Sequence, residues 1–63
     1  MNLDRYDKAI LTELQRDGRI SNVQLAQAVR LSESACLRRV RALEDAGLIE
    51  RYVALLDQKQ VGL

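Results

Sequence analysis

Apolar residues recur at helical spacing three times along this chain, and each run is bracketed by residues that start and stop helices. The first run is Tyr6, Ile10, Leu11 and Leu14, with Leu3 and Ala9 at its margin. Residues three and four apart share a face when the backbone turns once in about 3.6 residues, so the stripe predicts an amphipathic helix over 4–17. Asp4 is placed to cap its start, Asp7 puts negative charge near the positive end of the helix dipole, and Gly18 is the expected stop. The second run, Leu25, Ala26 and Val29, predicts a short helix over 21–29. There Ser21 and Gln24 form a capping-box pattern, with Ile20 and Leu25 at the positions of a hydrophobic staple. Ala26 is small, so the next helix can cross closely. The third run predicts a helix over 32–46, capped by Ser32 and stapled by Leu31 and Cys36. Cys36, Leu37, Val40 and Leu43 form its apolar face. Gly47 is the left-handed residue that closes it, with Leu48 placed to pack back on the last turn. Ser34, Arg38, Arg41 and Ala42 lie roughly opposite that face, with Arg39 on the flank.

A short helix, a turn of three or four residues and a longer capped helix make the helix-turn-helix pattern. Such a turn needs a residue at positive φ, and here the position falls on Arg30, where an arginine costs on the order of 1 kcal/mol relative to glycine. After Gly47 the pattern turns strand-like. Over 49–56, Ile49, Arg51, Val53 and Leu55 alternate with Glu50, Tyr52, Ala54 and Leu56 until Asp57 breaks the run. One strand cannot satisfy its own backbone hydrogen bonds. A partner is therefore expected, either a second copy of this chain or a domain that follows. The organisation predicted is mainly α: a three-helix, winged-helix-like helix-turn-helix domain over 1–48, a strand or hinge over 49–57 and a tail over 58–63. An unpaired strand followed by a bare tail suits a fragment cut at a hinge.

Composition narrows the chemistry. A chain of 63 residues, 48% hydrophobic and 30% charged, has the make-up of one soluble globular domain. No apolar run is long enough to span a membrane, and the N-terminus turns polar too early for a signal peptide. The single cysteine excludes an internal disulfide. Without histidine, Cys36 has no base to activate it and a zinc site has almost no ligands, so no metal, cofactor or catalytic residue is expected. No paired carboxylates or glycine-rich phosphate loop suggests an enzyme. The net charge of +1 conceals a segregation: residues 19–41 carry five arginines (Arg19, Arg30, Arg38, Arg39, Arg41) against one acid, Glu33, while the rest of the chain carries five bases and eight acids. A basic segment inside a near-neutral chain is an electrostatic footprint for a polyanion. The reading from residues is double-stranded DNA binding by a dimer, with the third helix in the major groove. Arg38 is the choice for a bidentate base contact. Arg39, Arg41 and Arg19 are placed for phosphates, and Ser21 with Asn22 offers a phosphate seat at the start of the second helix. The alternative is an interaction module that turns the same arginine face to an acidic protein.

Three segments carry a resemblance: D-x-x-D-x-x-I-L-x-x-L-Q-x-D-G-R-I-S-N-V-x-L-A (4–26), L-S-x-S-x-C-L-x-R-V-x-x-L-E-x-x-G-L-I (31–49) and Y-x-A-L-L-D (52–57). Together they are similar to the N-terminal DNA-binding domain of the leucine-responsive regulatory protein / AsnC family, the "feast or famine" transcription regulators of bacteria and archaea. The resemblance implies a winged helix-turn-helix domain followed by a hinge strand, in a cytoplasmic, nucleoid-associated prokaryotic regulator. It implies that Ser32, Ser34, Arg38 and Arg41 occupy recognition-helix positions that face DNA, and that Leu25, Val40 and Leu43 belong to the core. This chain departs from the family pattern at Arg30, where glycine is common, and at Glu33, where proline is common. Members of the family continue into an effector-binding αβ domain, so no amino-acid effector is expected to bind the residues present here. A homodimer through 49–56 is expected.

Overall fold

A computed structural model describes residues 2–52 of the chain. Three helices follow in order: α1 (Arg5–Arg16), α2 (Asn22–Val29) and α3 (Glu33–Asp45). Each begins one residue after the cap read from the sequence. At α1, Asp4 Oδ1 accepts from the Asp7 N–H (2.9 Å), and Asp7 Oδ2 accepts from the Asp4 N–H (3.2 Å), which makes a complete capping box built from two aspartates. Ser21 Oγ accepts from the Gln24 N–H (3.1 Å) and Ser32 Oγ from the Ala35 N–H (3.2 Å). The reciprocal bond expected from the Gln24 side chain does not form among the described residues; α2 is capped from one side only.

The helix ends divide into two kinds. α2 and α3 both close with the pair of hydrogen bonds of a Schellman motif. In α2 the Leu31 N–H donates to the Ala26 carbonyl (2.9 Å) and the Arg30 N–H to the Gln27 carbonyl (3.3 Å), with Arg30 at φ 62°. In α3 the Leu48 N–H donates to the Leu43 carbonyl (3.1 Å) and the Gly47 N–H to the Glu44 carbonyl (3.0 Å), with Gly47 at φ 78°. Arg30 therefore adopts the left-handed conformation that the turn pattern required of it. α1 ends differently from expectation. Gly18 is not left-handed; the chain leaves the helix through an extended Asp17 (φ −149°). The Asp17 carboxylate accepts from the Arg19 N–H (2.9 Å) and its carbonyl from the Ile20 N–H (3.3 Å), so an aspartate turn takes the work assigned to the glycine.

The core forms where the three stripes meet: Ile10 from α1, Leu25, Ala26 and Val29 from α2, and Cys36 and Leu43 from α3. Leu3, Ala9, Leu11, Leu14, Ile20, Leu31, Val40 and Ile49 close around it. Ile20 and Leu31, the outer members of both staples, lie against this cluster. Burial pushes the Cys36 thiol above its usual pKa and keeps it protonated, as fits a small core residue. Two side chains read as inward-facing are not. Leu37 stays 38% exposed, because it lies toward the flank of α3 and not over its buried centre. Leu48 is 47% exposed: its backbone closes α3 while its side chain is only about half covered. Tyr6 is half-buried, with Arg5 and Arg39 guanidinium carbons 5.0 and 5.1 Å from the centre of its ring. Residues 49–52 form no strand among the described residues, and the remainder of the expected 49–57 strand and 58–63 tail lies outside them.

Candidate nucleic-acid interface

The basic segment of the chain resolves into two groups once folded. On α3, with Cys36 and Leu43 fully buried, Ser34, Arg38 and Arg41 stand exposed on the opposite side. Their spacing of four and then three residues keeps them on one stripe along the helix. Neither Arg38 nor Arg41 makes an ion pair or side-chain hydrogen bond among the described residues. Ser32 begins the same edge, its Oγ 3.4 Å from that of Ser34. The N-terminus of α3 thus brings two hydroxyls and the positive end of the helix dipole to the end of the stripe nearer Arg38, together with the exposed carboxylate of Glu33. Arg30 in the preceding turn and Arg19 before α2 are also exposed. Ser21, at the start of α2, is exposed beside the backbone N–H groups of that helix's first turn.

Asn22 and Arg39 are placed otherwise. Asn22 is half-buried, and its Nδ2 donates to the Glu33 carbonyl (2.9 Å), tying the first residue of α2 to the first residue of α3. Arg39 is also half-buried and points at the start of α1. Its Nη1 donates to Asp4 Oδ2 and Oδ1 (2.7 and 2.9 Å) and to Asp7 Oδ1 (3.2 Å). The hydrogen bond from the Asp7 backbone, followed by that from Arg39, holds the Asp4 carboxyl below its ordinary pKa of 3.8. Asp4, chiefly, raises that of Arg39 in return. At the other end of α3, the Tyr52 hydroxyl donates to Glu44 Oε2 (3.2 Å); partial burial and that carboxylate together raise its pKa. The sequence pattern identified Asp4 and Asp7 as helix-start residues but not as the receptors of an arginine 35 positions away. The D-x-x-D spacing at a helix start was the available signal, and nothing in it names the partner.

No described helix is long and apolar enough to cross a membrane. The arrangement has the elements of a polyanion-binding surface: a preformed helix face carrying guanidinium groups with no partner among the described residues, and a helix N-terminus at one end of that face.

Known proteins bear on what that surface belongs to. A family model described as winged helix-turn-helix DNA-binding matches residues 3–50. The chain is 59% identical over 56 residues to the leucine-responsive regulatory protein of Escherichia coli, an alignment that covers 89% of this chain and 34% of that protein. The chain thus spans about a third of the length of the curated relatives it matches. Among solved structures, a transcriptional regulator from Neisseria meningitidis, in complex with L-Met, is 50% identical with a TM-score of 0.92, covering 95% of this chain and 39% of that one. LrpC of B. subtilis is 41% identical with a TM-score of 0.90, covering 100% and 45%. The fold recurs in these regulators at 41–50% identity, and with the family model matching residues 3–50 the chain belongs to the winged helix-turn-helix DNA-binding family.

Proposed function

We propose that this chain binds double-stranded DNA as the reading head of a transcription regulator, with α3 in the major groove and its Ser34–Arg38–Arg41 stripe toward the bases and backbone. The observation that carries this reading is the pair of exposed guanidinium groups of Arg38 and Arg41, without a partner among the described residues, on the outer face of a helix whose inner face is buried in a helix-turn-helix core. Arg38 lies nearer the N-terminal half of α3, the end that approaches base edges in this mode of docking. A guanidinium there bonds bidentately to guanine O6 and N7. Ser32 and Ser34 offer hydroxyls at the helix start. Arg41 and Arg19 supply charge for phosphates, and the Ser21 end of α2 supplies backbone N–H donors for another.

One copy of so small a surface makes few contacts, so two copies on a two-fold-related site are part of this reading, joined through the 49–56 segment. So is action in the prokaryotic cytoplasm, on the nucleoid. The L-Met named for the Neisseria complex is bound by a protein that this chain matches over 39% of its length, and no amino-acid effector is assigned to the residues here. The test is fluorescence anisotropy of labelled duplex DNA with this chain across a salt series, with Arg38→Ala in parallel. Binding that weakens linearly with log salt, together with relaxed sequence preference in the variant, supports the reading. Salt-insensitive binding, or none at low salt by a covalently dimerised chain, contradicts it.

A further inference from the structure

Arg39 has the composition of a phosphate contact and the geometry of something else. It neighbours Arg38 in sequence, yet its guanidinium lies against the first turn of α1, on Asp4, Asp7 and the ring of Tyr6. The two carboxylates offset Arg39 and the neighbouring Arg5 on the same Tyr6 ring, so the cluster carries no net positive charge to offer a phosphate. Both carboxylates are also fixed from behind, because each accepts a backbone N–H of the other in the α1 capping box. The Asp7 side chain is only 7% exposed and that of Arg39 28%, while that of Asp4 is 50% exposed, so the contact is enclosed at Asp7 and open to solvent at Asp4. Cys36, Val40 and Leu43 seat α3 through non-directional apolar packing and Asn22 ties its start to α2, while among the described residues the polar contacts between α3 and α1 are those of Arg39. Arg39 Nη1, shared among three oxygens of two anchored carboxylates beside an aromatic face, adds a directional restraint on the rotation of α3.

We propose that Arg39 is a positioning residue for DNA reading: through Asp4, Asp7 and Tyr6 it sets the rotation of α3, and hence the direction in which Arg38 leaves the helix, and it touches no phosphate itself. This rests on the DNA reading given above. Rotation of α3 moves Arg38 and Arg41 together, since they share a face, so a small error at Arg39 reaches every contact the stripe makes.

The test compares Arg39→Gln, Arg39→Lys and Asp4→Asn with the parent chain, on a duplex the parent selects from a random pool, at a temperature where circular dichroism shows each variant folded. Asparagine retains a capping oxygen, so Asp4→Asn removes the charge while keeping the cap. A positioning role predicts that all three variants bind about tenfold more weakly, the scale of one misaligned base contact. The slope of log affinity against log salt stays at the parent's value, and Arg38→Ala has less effect in these backgrounds than in the parent. A slope smaller by about 0.9 in Arg39→Gln, retained by Arg39→Lys, means a phosphate contact and overturns the proposal. Asp4→Asn binding as tightly as the parent or more tightly overturns it too, because loss of an acid near DNA helps binding unless that acid holds something in place. Unchanged affinity in folded Arg39→Gln reduces the cluster to a stability device and has the same consequence. A parent chain that fails to bind DNA at all defeats the DNA reading and the proposal together, an outcome distinct from a parent that binds while the variants match it.

Discussion

Arg38 and Arg39 are consecutive in sequence, carry the same charge and sit on the same helix, yet the fold puts them in different service. A step of one residue turns the side chain by about 100° around the helix axis. That step takes Arg38 to the solvated face opposite Cys36 and Leu43, and Arg39 to the seam with α1, where Asp4 and Asp7 receive it. The difference teaches that a count of basic residues overstates a nucleic-acid surface. What matters is which arginines remain unpaired after the fold has used its own carboxylates. In this chain the segregated basic segment supplies two exposed guanidinium groups on α3 and an ion-pair tie from α3 to α1.

Both faces of α3 depend on the core beneath them. Ile10 is fully buried, and Ile10→Ala is expected to cost about 2–5 kcal/mol through lost burial and the cavity left behind. A domain this small has little more than that to lose, so thermal melting followed by circular dichroism should show no cooperative transition in the variant. The outer face is separable from the fold. Arg38→Ala should lower specific DNA affinity by about 1–3 kcal/mol while leaving stability within about 0.5 kcal/mol of the parent, read by anisotropy and by urea denaturation. A large loss of stability in that variant would mean that Arg38, too, serves the fold.

A smaller effect is expected where two helix ends share one motif. α2 and α3 close through the same Schellman hydrogen bonds, but α3 uses glycine at the left-handed position and α2 uses Arg30. Arg30→Gly should stabilise the chain by about 1 kcal/mol, seen as a higher urea midpoint with an unchanged slope. It also removes an exposed cation beside α3, so the same variant shows by its salt slope whether Arg30 contributes to DNA binding. The smallest expected effect is on acid stability. The Asp4 carboxyl has a lower pKa folded than its ordinary 3.8, so its contribution is present above that value and disappears as pH falls through the lowered one. Parent chain should lose stability on acidification below about pH 4, and Asp4→Asn should show a flatter dependence over the same window when melting temperatures are compared.

The helices were legible because their signals are local. Apolar period, an Asp or Ser at each start, and the left-handed position at Arg30 each involve residues within a few positions, and the structure places all three helices accordingly. Gly18 misled because a glycine after a helix invites a left-handed cap, whereas the neighbouring Asp17 offered a side-chain acceptor that closed the turn another way. Leu37 misled because a four-residue apolar set is wider than the stripe that a short neighbouring helix such as α2 covers. The Asp4–Asp7–Arg39 cluster was out of reach for a different reason. The pairing of positions 35 and 32 apart depends on how α1 crosses α3, and no periodicity encodes a crossing. In the candidate interface, Ser34, Arg38 and Arg41 could be placed on one face by counting, but that Asn22 turns inward to the Glu33 carbonyl could not.

The most direct test of the account is an NMR titration of the labelled chain with duplex DNA, following backbone amides and arginine side-chain resonances. The account predicts the largest shifts along Ser32, Ser34, Arg38 and Arg41 and at the start of α2, with the outer face of α1 at Lys8, Thr12 and Gln15 unmoved. Shifts concentrated on that outer face of α1, with the α3 stripe silent, would contradict it.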